Sequence, residues 1–221
     1  MRGFDISSTT PLRSALIIGA HSDDIEIGAG GTVRRLLEAN PTIELTWVVF
    51  SASGAREKEA RASAESILGQ SRHRVETFAF RDGFFPYEGL RVKEAFEAVR
   101  KTCEPDLVIT HHREDLHQDH RLVGELTWNT FRDHIILEYE VPKFDGGLTS
   151  PNFFVPLSEQ IVASKVAGLM AHFATQRNKN WFTEETFRGL MRLRGIECRS
   201  TSGYAEGFHC RKISWQSAAV K

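Results

Sequence analysis

Apolar positions along the first two-thirds of the chain switch repeatedly between two periods. Ser14 to Ala20 is a continuous apolar run, the pattern of a strand covered on both faces. Gly28 to Ala39 follows, with Val33, Leu36 and Leu37 at helical spacing. Glu44 to Ser51 carries Leu45, Trp47, Val48, Val49 and Phe50 and predicts a second strand. Arg56 to Leu68 has alanines at helical spacing and stops at Gly69. Arg74 to Phe80 predicts a third strand, after which Asp82-Gly83 and Pro86 mark a loop rich in aromatics. Leu90 to Cys103 is an amphipathic helix, and Pro105 precedes a fourth strand over Leu107 to Thr110. A helix through Leu122, Leu126 and Phe131 and a fifth strand over Ile135 to Val141 complete the alternation. Strands joined by crossover helices predict an α/β fold, with a mostly parallel sheet and helices on both faces.

From Pro142 the character changes. Lys143 to Pro156 is a Gly/Pro-containing aromatic loop, long enough to suggest cover for a pocket. Helices are predicted over Ser158 to Gln176 and Thr183 to Leu193, and Gly203 to Phe208 reads as a turn into a short strand. No repeat or low-complexity linker divides the sequence, so residues 1–221 are read as one domain, elaborated from about 142 onward. That length supports a core without staples. A net charge of -1 with interspersed signs argues against a nucleic-acid surface. Met1 to Arg13 is polar and unlike a secretory leader, and no segment reaches the ~20 apolar residues that span a bilayer. Cys103, Cys198 and Cys210 form no C-x-x-C pair and fit a reducing compartment. A cytoplasmic protein is the expectation, and homo-oligomerisation stays open.

Two polar runs interrupt this pattern and carry the chemistry. Ala20-His21-Ser22-Asp23-Asp24-Ile25-Glu26 follows the first strand, and His112-Arg113-Glu114-Asp115-Leu116-His117-Gln118-Asp119-His120 follows the fourth. Metal-capable side chains gathered there are costly to dehydrate and add nothing to a core. Placed at the carboxyl ends of strands, where open α/β sheets bind ligands, the two runs read as one divided site. His21 and Asp24 are three apart, so both can face one point, whereas Asp23 points differently and need not be a ligand. His117 and His120 share that spacing. A histidine pair plus one carboxylate, with a position left open, is a catalytic zinc pattern with bonds of ~2.0–2.2 Å. Surface residues capping helices would explain either run alone, but poorly explain both at equivalent strand ends.

The pattern A-H-x-D-D-x-E, then G-x-G-G-T, with H-x-x-D-x-H-x-D-H roughly ninety residues on, resembles the LmbE-like or PIG-L family of zinc-dependent N-deacetylases. The matching positions are Ala20, His21, Asp23, Asp24, Glu26, Gly28, Gly30, Gly31 and Thr32, then His112, Asp115, His117, Asp119 and His120. Tyr204 to Phe208 resembles the family's closing segment, so the similarity runs the length of the chain. Ser22 stands where the family usually has a proline, which would stiffen the turn. The resemblance implies His21, Asp24 and His120 as metal ligands and Asp23 as the base, with zinc bound, or another divalent ion such as Fe2+. The metal would acidify water and Asp23 would remove the proton. His117, kept protonated by Asp119, would stabilise the oxyanion, and either Asp23 or His117 would protonate the departing amine. Arg56 matches an arginine the family uses for substrate, and His112 and Asp115 are expected to orient the ligands. Gly28 to Gly31 is expected to permit tight helix–sheet packing rather than to cradle a phosphate.

The implied protein is a Rossmann-like three-layer αβα hydrolase. It would remove the N-acetyl group from an N-acetylglucosamine-like sugar or conjugate, a small-molecule partner. One alternative is an amidase on a larger thiol- or sugar-conjugate amide. Another is a two-histidine-one-carboxylate iron oxygenase, in which Asp23 has no task. A third is a non-catalytic ligand-binding module, which has no physical need of an intact base and histidine pair.

Overall fold

Each apolar run of the first two-thirds becomes a strand, and the intervening amphipathic segments become its crossovers. In the computed structural model, which describes residues 12–214, these are β1 (Ser14–His21), α1 (Asp24–Ala39), β2 (Glu44–Ser51), α2 (Ala55–Leu68), β3 (Arg72–Thr77), α3 (Gly89–Arg100), β4 (Leu107–His111), α4 (Gln118–Thr130) and β5 (Ile135–Tyr139). The remainder supplies β6 (Phe153–Pro156), α5 (Glu159–His172), α6 (Glu184–Cys198) and β7 (Ala205–Cys210). Most of the polar N-terminal stretch, Met1 to Pro11, lies outside the described residues.

One seven-stranded sheet runs β3-β2-β1-β4-β5-β7-β6. The first five of these are parallel, and β7 pairs antiparallel with both β5 and β6. The chain moves outward from β1 to β3, then jumps back to place β4 on the other side of β1. Such a reversal opens a crevice at the carboxyl ends of the two central strands. Side chains alternate across the sheet, which explains the uninterrupted apolar runs. Ile17, Trp47, Val49, Ile109 and Phe208 enter one core with residues of α1, α5 and α6. Leu16, Ile18, Val48, Phe50 and Val108 enter a second core with Phe96 of α3 and Val123 of α4. The result is three layers. No helix among the described residues is long and apolar enough to cross a membrane.

Several boundaries differ from the pattern. Helix α1 starts at Asp24, four positions before Gly28, because the Asp24 carboxylate in the first turn suits the positive helix terminus. Its glycines are therefore helical. A Cβ at Gly28 would come within 2.1 Å of the Tyr139 ring, and one at Gly31 within 2.6 Å of Leu157. They allow α1 to lie hard against its neighbours, as expected. Strand β3 ends at Thr77, with only an isolated Ser51–Ala79 bridge beyond it. The loop read over Lys143 to Pro156 contains β6, and Pro156 is tolerated because β6 is an edge strand. The helix expected through Gln176 stops at His172 and gives way to a 3₁₀ turn, Ala174–Gln176. Helix α6 continues past Leu193 to Cys198 and closes on Arg199 in the left-handed conformation.

Candidate active site

The crevice beyond β1 and β4 gathers both polar runs. His21 is the last residue of β1, and Asp24 begins α1. His120 lies in the first turn of α4, which begins seven positions after β4 ends. His21 Nδ1 lies 3.1 Å from His120 Nε2 and 3.2 Å from Asp24 Oδ2. His120 Nε2 is 3.4 Å from the same Asp24 oxygen. All three side chains are buried.

The outer partners decide what faces inward. His21 Nε2 meets Asp119 Oδ2 and Asp82 Oδ1, each at 3.1 Å. Two carboxylates at Nε2 keep the proton there and leave Nδ1 with its lone pair. His120 Nδ1 likewise meets Asp115 Oδ2 at 3.2 Å, which frees its Nε2. Two imidazole lone pairs thus confront each other and Asp24 Oδ2, which also accepts from the His21 amide at 2.6 Å. In a metal-free chain only a proton can relieve this. Burial opposes charge on His21 and His120, yet Asp24 and the outer carboxylates hold both above the ordinary histidine value. Burial also opposes ionisation of Asp24, but His120, His21 and His111 hold it well below the usual carboxylate range. The cluster attracts positive charge.

A divalent ion fits that demand. For ~2.0–2.2 Å bonds in a tetrahedral arrangement, neighbouring ligand atoms lie roughly 3.3–3.6 Å apart. The three observed separations, 3.1 to 3.4 Å, are close to that edge length. Each imidazole also has the carboxylate behind it that metal-ligating histidines use.

Asp23 sits beside this triangle but outside it. It occupies the N-cap of α1 without capping the helix, and Oδ1 instead accepts from Arg56 Nη2 at 3.2 Å. Burial raises its pKa, with Asp24 adding to the effect and Arg56 opposing it. Arg56 also donates to Asp82 Oδ2 at 2.9 Å, so both arginine contacts lead into the crevice. Ser22 replaces the stiffening expected of a proline by donating from Oγ to the Ser51 carbonyl oxygen at 3.3 Å, tying the turn to β2. Glu26 faces away from the triangle; burial pushes its carboxyl up to about 8, and it stays neutral.

Two expectations need correction. Asp119 does not keep His117 protonated. Its carboxylate is taken by His21 and by the amides of Gly83 (2.6 Å) and Phe85 (3.1 Å), because the loop after β3 folds over it. Only the Asp119 backbone N–H reaches His117 Nδ1, at 3.2 Å, since His117 is the N-cap of α4. Burial, then the charges on His120 and His21, hold His117 below the ordinary histidine value. Nor does His112 orient a ligand. Its Nδ1 meets Glu138 Oε2 at 2.7 Å, and its ring stacks on His209 at 3.9 Å, because alternation along β4 turns it away from the crevice. Asp115 does touch His120, as expected.

Three residues were missed. His111 is fully buried, accepts from Ala20 N at 2.9 Å and stacks on His120 at 4.0 Å. Burial and the His120 charge push it down to about 3, so it is a neutral acceptor. Its signal was parity, since it shares a sheet face with Ile109. Lys143 donates to Asp115 Oδ2 at 2.8 Å and so pins the following loop to the partner of His120. Asp82 joins through a loop whose path only the fold reveals.

A family model described as GlcNAc-PI de-N-acetylase, PIG-L, matches residues 16–131. The chain belongs to the PIG-L family. A protein of Escherichia coli K12 named as an uncharacterized deacetylase, YaiS, is 30% identical over 178 residues, covering 76% of this chain and 94% of that one. The N,N'-diacetylchitobiose deacetylase of Pyrococcus horikoshii superposes with a TM-score of 0.71 at 21% identity, over 93% of this chain and 86% of that chain. The 4-carboxy-2-hydroxymuconate hydratase GalB of Pseudomonas putida KT2440 gives 0.66 at 19% identity, over 94% and 100%. PIG-L proteins are deacetylases, generally metal-dependent, that act on N-acetyl amides. The hydratase shows that the shared fold alone does not dictate a reaction.

Proposed function

We propose that this chain is a metal-dependent hydrolase that cleaves the N-acetyl group from an N-acetylglucosamine-like sugar or conjugate, giving acetate and a free amine. The observation that carries this reading is the buried triangle of His21, Asp24 and His120 with a carboxylate, Asp23, held just outside it. His21, Asp24 and His120 would hold the ion, and two imidazoles with one carboxylate suit zinc, with Fe2+ as the alternative. When bound, the ion supplies a Lewis acid for the amide carbonyl and makes water at the site more acidic. Asp23 takes the proton of the attacking water. Its raised proton affinity suits a carboxylate that must keep that proton and then release it. With Nδ1 occupied by the Asp119 amide, His117 offers its Nε2–H to the carbonyl oxygen as it becomes an oxyanion. Asp23, which has taken that proton, delivers it to nitrogen as the C–N bond breaks. The Arg56 side chain is about a quarter exposed beside Asp23 and Asp82, and we assign its guanidinium to a substrate hydroxyl. The chitobiose deacetylase, by its name, acts on an acetylated sugar, which supports a sugar amide here.

The test is acetate release from N-acetylglucosamine, N,N'-diacetylchitobiose and related conjugates by zinc-loaded protein. Asp23→Asn should retain about one metal per chain while losing on the order of 10²–10⁴ in turnover. Normal acetate release by Asp23→Asn would refute the mechanism. Release of a larger acid in place of acetate would assign the chain to bulkier amides.

A further inference from the structure

Many cations of this chain lie beside carboxylates, such as Arg61 with Glu57, Arg91 with Glu88, Lys93 with Glu97 and Arg194 with Glu140. Arg113, Arg132, Arg211 and Lys212 form no ion pair among the described residues, yet they converge with Trp128 on one groove of about 390 Å³. The groove runs along the outer side of α4, between that helix and the segment following β7, and Glu125 is the one acidic residue lining it. It shares no residue with the triangle at the strand ends.

The wall is fixed from behind. Trp128 Nε1 donates to Glu138 Oε1, whose second oxygen accepts from His112 Nδ1 at 2.7 Å and from the Arg113 amide at 3.1 Å. In front, the Arg211 guanidinium lies 4.8 Å and the Lys212 ammonium 5.7 Å from the indole centroid. Those aromatic contacts hold two long side chains in place beside two more cations. A net charge of -1 means the groove is not a by-product of a basic protein. Four positive groups facing one carboxylate repel one another and focus a potential that favours an anion. Guanidinium forks match phosphate oxygens in pairs, and the groove falls within the ~300–1,000 Å³ range of small-molecule sites.

We infer that this groove binds the phosphate group of a small soluble phosphate monoester. The inference stands whether or not the hydrolase reading holds.

Calorimetric titration of the metal-loaded protein with glycerol 1-phosphate tests it. The wild-type protein should show saturable binding that weakens at least tenfold in Arg132→Ala/Arg211→Ala. Arg132→Lys/Arg211→Lys, which keeps the charge, should retain most of the affinity. Phosphate that reaches the metal instead would bind all three proteins alike, so the difference between them reads the groove alone. Equal affinity in the wild type and the alanine pair, or no saturable binding, would overturn the assignment. So would equal displacement by chloride at matched ionic strength. Binding to vesicles containing phosphatidic acid, without binding of the soluble ester, would overturn it in favour of a membrane surface.

Discussion

Two buried charge clusters flank α1, and they are built on opposite terms. Under the middle of the helix, Lys165 Nζ donates to Glu206 Oε1 and to the Ile27 carbonyl oxygen, both at 2.6 Å. The Gly31 and Thr32 amides donate to the two Glu206 oxygens at 2.8 and 2.6 Å. Every charge there is answered within the chain. At the start of the same helix, His21 Nδ1 and His120 Nε2 face one another and Asp24 with no cationic side chain to answer them as Lys165 answers Glu206. Burial of charge therefore marks a site only where donors and acceptors fail to balance. Glu206 belongs to the scaffold, although it lies in the motif-like closing segment.

The sharpest way to break this comparison is to remove a charge from each cluster. Glu206→Ala leaves the Lys165 ammonium buried without its partner and should cost about 3–5 kcal/mol in urea unfolding. Asp24→Asn in metal-free protein should cost clearly less, while bound metal falls to near zero by elemental analysis. Equal losses would mean the two clusters are the same kind of object. Next in size, His117→Ala should raise the barrier by about 3–4 kcal/mol, seen in kcat more than KM, with fold stability little changed. A matching loss of stability would move His117 to the scaffold.

A smaller effect probes the support behind His120. Lys143→Met frees Asp115 Oδ2 from one of its two partners. Metal affinity in chelator competition should fall by roughly 10–100-fold, and Lys143→Arg should restore part of it. Unchanged affinity would confine Lys143 to tethering the loop. The smallest effect concerns Glu138. Burial works against its ionisation, but His112, the Arg113 amide and Trp128 outweigh that and hold its pKa below the ordinary 4.5. A depressed acid contributes stability above its unfolded value, and that stability is lost as pH falls through the folded value. Unfolding midpoints of the wild type should therefore drop below pH 4.5, and those of Glu138→Gln should drop less steeply. Parallel curves would show the pairing has no net worth.

The layered sheet is legible because runs such as Ser14 to Ala20 can be satisfied only by cover on both faces. The triangle is legible in part, since His21 and Asp24 share an i, i+3 spacing at a strand end. What escaped reading depends on tertiary paths. His111 looks like the tail of an apolar strand until the pairing of β4 with β5 shows which face it joins. Asp119 serves His21 rather than His117 because the loop through Gly83 donates its amides there. Strand β6 escaped because four residues ending in proline carry too little pattern to stand out.

The two imidazoles that meet at 3.1 Å come from positions 99 residues apart. A nascent chain leaving the ribosome carries His21 long before β4 and α4 exist to bring His120 to it. On the proposed reading, the grip on an ion would not form on a partial product, so loading would follow assembly of the central strands. Capture of the ion would then report that the middle of the sheet has been put together correctly.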